Sequence, residues 1–149
     1  MSVTVGRDLL AAHAEVKAEI ARTDTKTGLL LAFVGAVLAG TWSFARDLPL
    51  NAPAIIVGAA GLGQMLSAVA LLLRSVRPNL GGRHGFPLWA TLDPDEIGPA
   101  VARDLAADVA GLSRVAVTKF TALRRAVDLT MAGGAVLIIA ALLTAGGAA

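Results

Sequence analysis

In Arg22-Thr-Asp-Thr-Lys-Thr27, Asp24 and Lys26 stand two residues apart, and after Lys26 no charged side chain occurs until Arg46. A carboxylate and an ammonium at the mouth of an apolar run suit a helix anchored at a lipid surface: Lys26 snorkels to the headgroups and Asp24 pairs with some basic residue nearby. A second group of candidates lies in Arg74 to Leu92, "RSVRPNLGGRHGFPLWATL". Arg74, Arg77, Arg83 and His84 are basic, Gly81 and Gly82 free the backbone, and Phe86, Leu88 and Trp89 are apolar. Spacing favours an interfacial loop, with arginines at headgroups and aromatic rings dipping in. The sharper alternative is an anion or nucleotide pocket, with guanidinium and backbone N–H on phosphate and an aromatic for stacking. Gly-Gly-Arg-His is not a P-loop, because the Lys-Ser/Thr ending is missing.

Catalytic and metal chemistry find little support. His13 and His84 lie far apart, no His/carboxylate cluster has metal spacing, and there are no cysteines. Ser2, Ser43, Ser67, Ser75 and Ser113 occupy no nucleophile-elbow context. The expectation is a protein that is not an enzyme, with no cofactor and no metal. Net charge is +2, too small to point to a nucleic-acid partner.

The elements that hold these residues follow from where charge is missing. The 149 residues are 56% hydrophobic and 16% charged, against about a quarter charged in soluble domains. The apolar residues gather in three blocks. Thr27 to Ala45 carries no charge, and 19 helical residues reach roughly 28 Å, close to the hydrocarbon thickness. Leu48 to Leu73 follows Asp47, with Pro49, Asn51 and Pro53 marking a turn at its start. Leu129 to Ala149 follows Asp128. The fold class expected is all-α: an integral membrane protein with three transmembrane helices and two cytoplasmic amphipathic helices continuous with spans one and three. As one membrane domain over 1–149, it divides into a cytoplasmic helix at 5–27, spans at 28–46 and 53–73, a cytoplasmic loop at 74–98, a cytoplasmic helix at 99–126 and a third span at 128–146. The first block starts too late and runs too long for a signal peptide.

Lys and Arg give the orientation. Arg7, Lys17, Arg22 and Lys26 precede span one, and only Arg46 lies between spans one and two. Eight arginines and lysines from Arg74 to Arg125 follow span two, and none follows span three. The positive-inside rule then puts the N-terminus in the cytoplasm and the C-terminus outside the cell inner membrane. Trp42 falls near the outer end of span one, where an indole suits the headgroups.

Gly28, Ala32, Ala36 and Gly40 repeat every fourth residue along span one. Such a ladder lets another backbone approach closely, within the chain or between copies, and a homo-oligomer is expected. Gln64, near the middle of span two, is strongly polar at that depth. It reads as a helix–helix clasp, with a pore lining as the alternative. No Asp, Glu, Lys or Arg lies deep in a span, which argues against a proton relay or a charge-lined channel.

Before span one, Leu9, Val16, Ile20 and Thr23 follow helical spacing with His13 on the same face, while Glu15, Lys17, Glu19 and Arg22 lie mostly opposite. Before span three, Val101, Leu105, Val109, Leu112, Val115 with Ala116, Leu123 and Val127 form a comparable stripe. Gly98-Pro99 supplies a start for that helix, and Asp93-Pro94-Asp95-Glu96 reads as a separate capped turn. Glu19 with Arg22, and Arg124 or Arg125 with Asp128, have ion-pair spacing.

Two stretches, "EIARTDTKTGLLLAFVGAVLAG" (Glu19 to Gly40) and "DLAADVAGLSRVAVTKFTALRRAVDL" (Asp104 to Leu129), resemble the membrane effectors of the Pycsar anti-phage systems. In that family an Asp-x-Lys pair precedes the first span, here Asp24 and Lys26. A basic residue next to proline often follows the second, here Arg77-Pro78. A late helix with a lysine, here Lys119, runs into the last span. The resemblance implies an anti-phage effector that responds to cyclic CMP or cyclic UMP from a partner pyrimidine nucleotide cyclase and impairs the inner membrane. It makes Asp24, Lys26, Arg77 and Lys119 the nucleotide-binding candidates. Two other readings stay open: a small membrane scaffold or interaction protein, for example in plasmid transfer, and a channel or transporter subunit.

Overall fold

The computed structural model describes residues 3–47, 51–77 and 86–146. They form four helices and, among the described residues, no strand: α1 (Val3–Asp47), α2 (Ala52–Val76), α3 (Phe86–Trp89) and α4 (Pro94–Gly146). Three of these are long and apolar enough to cross a membrane, within Val5–Asp47, Ala52–Val76 and Leu105–Gly146. The all-α, three-span class expected from the uncharged runs is the class observed. At 45 and 53 residues, α1 and α4 are each more than twice the length of about 20 residues that a span requires. Each therefore carries a charged half and an apolar half on one unbroken helix.

The start of α4 differs from expectation. The helix begins at Pro94 and takes Pro99 into its interior, instead of starting at Gly98-Pro99 after a separate turn. The local cause is the cap. The Glu96 carboxylate accepts from the Asp93 N–H at 3.3 Å, and the Glu96 N–H donates to the Asp93 carbonyl at 2.9 Å. That closes the first turn before Pro99 is reached. One proline then removes a single intrahelical donor near the helix start and does not end the helix.

The chain divides into two units. One comprises residues 25–76 and 121–149 and contains the apolar halves of α1 and α4 with all of α2. Its core is Ala68, Leu72 and Ala126, packed by Leu30, Leu31, Leu71, Leu123 and Leu129. The α2 and α4 helices approach closely at Gly61 and Gly133. A Cβ on either would sit 3.1 Å from the other's carbonyl oxygen, so the α2 and α4 backbones touch there. Asn51 caps α2: its Oδ1 accepts from the Ala54 N–H at 2.9 Å, and its Nδ2 donates to the Leu143 carbonyl of α4 at 2.9 Å. The buried Thr130 and Thr144 hydroxyls donate to the carbonyls of Ala126 and Ala140, which satisfies them without a neighbour.

Span one is the exposed one. Only 6% of its apolar window is buried inside the protein, against 22% for each of the others. Nothing approaches within 4 Å of a Cβ built at Gly28, Gly35 or Gly40, and Ala32 and Ala36 are exposed. Trp42 and Phe44 are also exposed, at the far end of the span. Gln64 stands at the α2–α4 crossing, where its Cβ is 3.3 Å from a Cβ built at Gly133. Its Oε1 is buried without a hydrogen-bond partner. Arg124, Arg125 and Asp128 are exposed, and among the described residues no ion pair joins them. In these spacings the base precedes the acid, the less favourable order on a helix.

The other unit comprises residues 1–24 and 77–120 and holds the charged halves of α1 and α4 with α3. Leu9, His13, Val16 and Ile20 are half-buried and Thr23 is buried, while Glu15, Lys17 and Arg22 are exposed. Val115 of the expected α4 stripe is exposed, as is Val127 in the first unit, whereas Ala116 beside Val115 is half-buried.

Candidate functional site

Asp24 on α1 and Lys119 on α4 form an ion pair across 95 residues of sequence. The Lys119 ammonium donates to both carboxylate oxygens, at 2.5 Å to Oδ1 and 2.8 Å to Oδ2. The Lys119 side chain is 18% exposed and that of Asp24 42%, so the lysine is the more enclosed member and the carboxylate the one solvent reaches. Pairs with an exposed member typically contribute about 0.2–1 kcal/mol. The bond is therefore weak enough to exchange, and it holds an ammonium in one place.

The neighbouring turn of α1 explains the positioning. Thr23 is 1% exposed and its hydroxyl donates to the Glu19 carbonyl at 2.9 Å. Thr23 faces inward with its polar atom satisfied, and the next residue, Asp24, emerges at the edge of the buried stripe. Glu19 and Arg22 make the expected surface pair at 3.2 Å.

Of the four residues singled out from the sequence, the structure brings Asp24 and Lys119 together. Lys26 belongs to the apolar unit, is exposed, and has no ion-pair partner among the described residues. Arg77 is exposed just beyond α2 and likewise unpaired among the described residues. Pro78, Gly81, Gly82, Arg83 and His84 lie outside the described residues. No cluster of three or more His, Cys, Asp or Glu residues able to hold a metal occurs among the described residues.

One residue went unrecognised in the sequence. Asp108 on α4 is 4% exposed, and its Oδ1 is buried with no hydrogen-bond partner. A buried carboxylate oxygen without a donor is unfavourable by about 1–3 kcal/mol or more. The signal was available. Positions 101, 105, 108, 112, 115 and 119 step by four and three, and two of those slots hold Asp108 and Lys119. Asp108 thus lies three turns before Lys119 on the same face of α4, roughly 16 Å away along the axis.

Compared with known proteins, the chain matches the family model described as the Pycsar effector protein domain, PycTM, over residues 8–146. No curated protein and no solved structure matches.

Proposed function

The chain belongs to the Pycsar effector family, and on that premise we propose that it is a non-enzymatic anti-phage effector whose signal is a cyclic pyrimidine nucleotide, cyclic CMP or cyclic UMP, supplied by a partner nucleotide cyclase. The nucleotide's phosphate takes the place of the Asp24 carboxylate on Lys119. The observation supporting this is the ion pair itself: an enclosed ammonium, already neutralised by a single, partly solvated anion that another anion can replace. Arg77, an exposed cation of the same unit as Lys119, supplies further charge for that phosphate. Asp24 lies where the charged half of α1 gives way to the uncharged run of span one, and Lys119 belongs to the helix that becomes span three. Exchange at this pair acts directly on two helices that enter the bilayer, and differential binding to the two states shifts their populations. The outcome is impairment of the inner membrane, with the N-terminus cytoplasmic and the C-terminus outside.

The assembly that impairs the membrane is a homo-oligomer joined through Gly28, Ala32, Ala36 and Gly40. Among the described residues nothing lies within 4 Å of a Cβ added at Gly28 or Gly40, and Ala32 and Ala36 are exposed, which supports use of this face between copies. Ala36→Leu is expected to weaken crosslinked oligomers in membranes while leaving insertion intact. An unchanged crosslinking pattern would remove this face from the contact.

Two predictions follow for the exchange. Asp24→Asn removes the competing anion, so the nucleotide binds as well as or better than to wild type, by up to about fivefold given the weakness of the pair. A marked loss of binding in Asp24→Asn would mean that the carboxylate holds the ligand directly. In proteoliposomes loaded with a self-quenched dye, release is expected only after cyclic CMP or cyclic UMP is added. Steady leak without nucleotide would instead favour a channel subunit, and no leak in any condition would favour a scaffold.

A further inference from the structure

We infer that Asp108 reads the base of the signal and selects cytosine over uracil. This inference rests on the proposed response to a cyclic pyrimidine nucleotide and adds to it the residue that tells the two pyrimidines apart. The ground is a buried acceptor with nothing to accept: Asp108 is 4% exposed, and its Oδ1 has no hydrogen-bond partner. An oxygen in that position is completed by a donor that arrives with a ligand.

Its place on α4 defines the ligand. Lys119 lies three turns further on along the same face. The rise between the two positions, roughly 16 Å along the axis, suits a molecule with an anion at one end and a hydrogen-bond donor at the other once the reach of the lysine is counted. A cyclic pyrimidine nucleotide has that form, with phosphate at one end and the base edge at the other.

An ionised carboxylate accepts and cannot donate. Cytosine presents its N4 amine, the donor for which Asp and Glu are the natural partners. Uracil presents a carbonyl oxygen at the same position, which a carboxylate repels. In the structure Asp108 is closed off and Lys119 holds Asp24; entry of the base accompanies release of that pair. Base reading is thereby tied to the proposed phosphate exchange.

The test is calorimetric titration of the full-length, detergent-purified protein with cyclic CMP and, separately, cyclic UMP. Wild type is expected to prefer cyclic CMP by about tenfold or more, the size of one good base contact. Asp108→Asn has the same shape but adds a donor, and its preference is expected to fall within about threefold. Equal or tighter binding of cyclic UMP by wild type would overturn the inference without reference to any variant. So would an Asp108→Asn protein that keeps the wild-type preference. Binding of neither nucleotide by wild type would overturn the proposed function itself, a different result from loss of selectivity alone.

Discussion

Lys119→Ala is expected to abolish nucleotide-triggered toxicity while leaving the protein in the membrane at wild-type level. The lysine sits outside the apolar unit, so its loss leaves the three spans untouched. Its ion pair with Asp24 contributes little to stability, since the carboxylate is 42% exposed. For a bound phosphate the loss is larger. Hydrogen bonds to charged groups are typically worth about 1.5–3 kcal/mol, so the dissociation constant should rise roughly 10- to 150-fold. Opposite directions in two variants at one ion pair separate exchange from simple structural support: Lys119→Ala weakens binding, whereas Asp24→Asn preserves or improves it. If Lys119 were only a strut, both variants would lower thermal stability together and nucleotide affinity would not move. Normal toxicity and normal affinity in Lys119→Ala would take this residue out of the site.

The second large effect lies in the apolar unit. Gly61→Leu should lower the thermal unfolding midpoint by several degrees, whereas Gly63→Leu, two residues along the same helix, should leave it nearly unchanged. A Cβ at Gly61 would lie 3.0 Å from the Leu137 side chain and 3.1 Å from the Gly133 carbonyl oxygen. The leucine can adjust, but a helical carbonyl cannot, so α2 and α4 must separate. Overpacking of this kind typically costs about 1–3 kcal/mol, and a chain of this length loses roughly 2–4 °C per kcal/mol. Separation would also disturb Met65, which is 1% exposed and lies against Gly133. At Gly63 nothing lies within 4 Å of the added carbon. Equal midpoints for the two variants would show that the Gly61–Gly133 contact does not hold the spans together.

These residues show what the sequence discloses and what it withholds. The three spans were legible because lipid excludes charge, and that rule leaves long uncharged runs. The continuity of α1 and α4 was legible for the same reason, since no breaker separates charged half from apolar half. The start of α4 was misread because Pro99 is a strong local signal, so the Asp93–Glu96 cap, six and three residues earlier, was assigned to a separate turn. Gly61 and Gly133 were visible as small residues, yet nothing in a single sequence says that one faces the other. The Asp24–Lys119 pair has the same difficulty in sharper form. Both residues were singled out through the family resemblance, but their meeting depends on the alignment of two helices 95 residues apart. Asp108 was missed because the α4 stripe was traced through its apolar members. The four-and-three spacing passes through an aspartate, and only burial reveals that its oxygen has no donor.

The most direct test of the nucleotide response is thermal unfolding of the detergent-purified protein with cyclic CMP, cyclic UMP, cyclic AMP and cyclic GMP, run in parallel on wild type and Lys119→Ala. A ligand at about 100 times its dissociation constant stabilises the folded state by roughly 2.7 kcal/mol if it binds only that state. The expected result is an upward shift of several degrees for wild type with a cyclic pyrimidine nucleotide, none with either purine, and a much reduced shift in Lys119→Ala. No shift with any of the four nucleotides, or equal shifts in both proteins, would contradict the account.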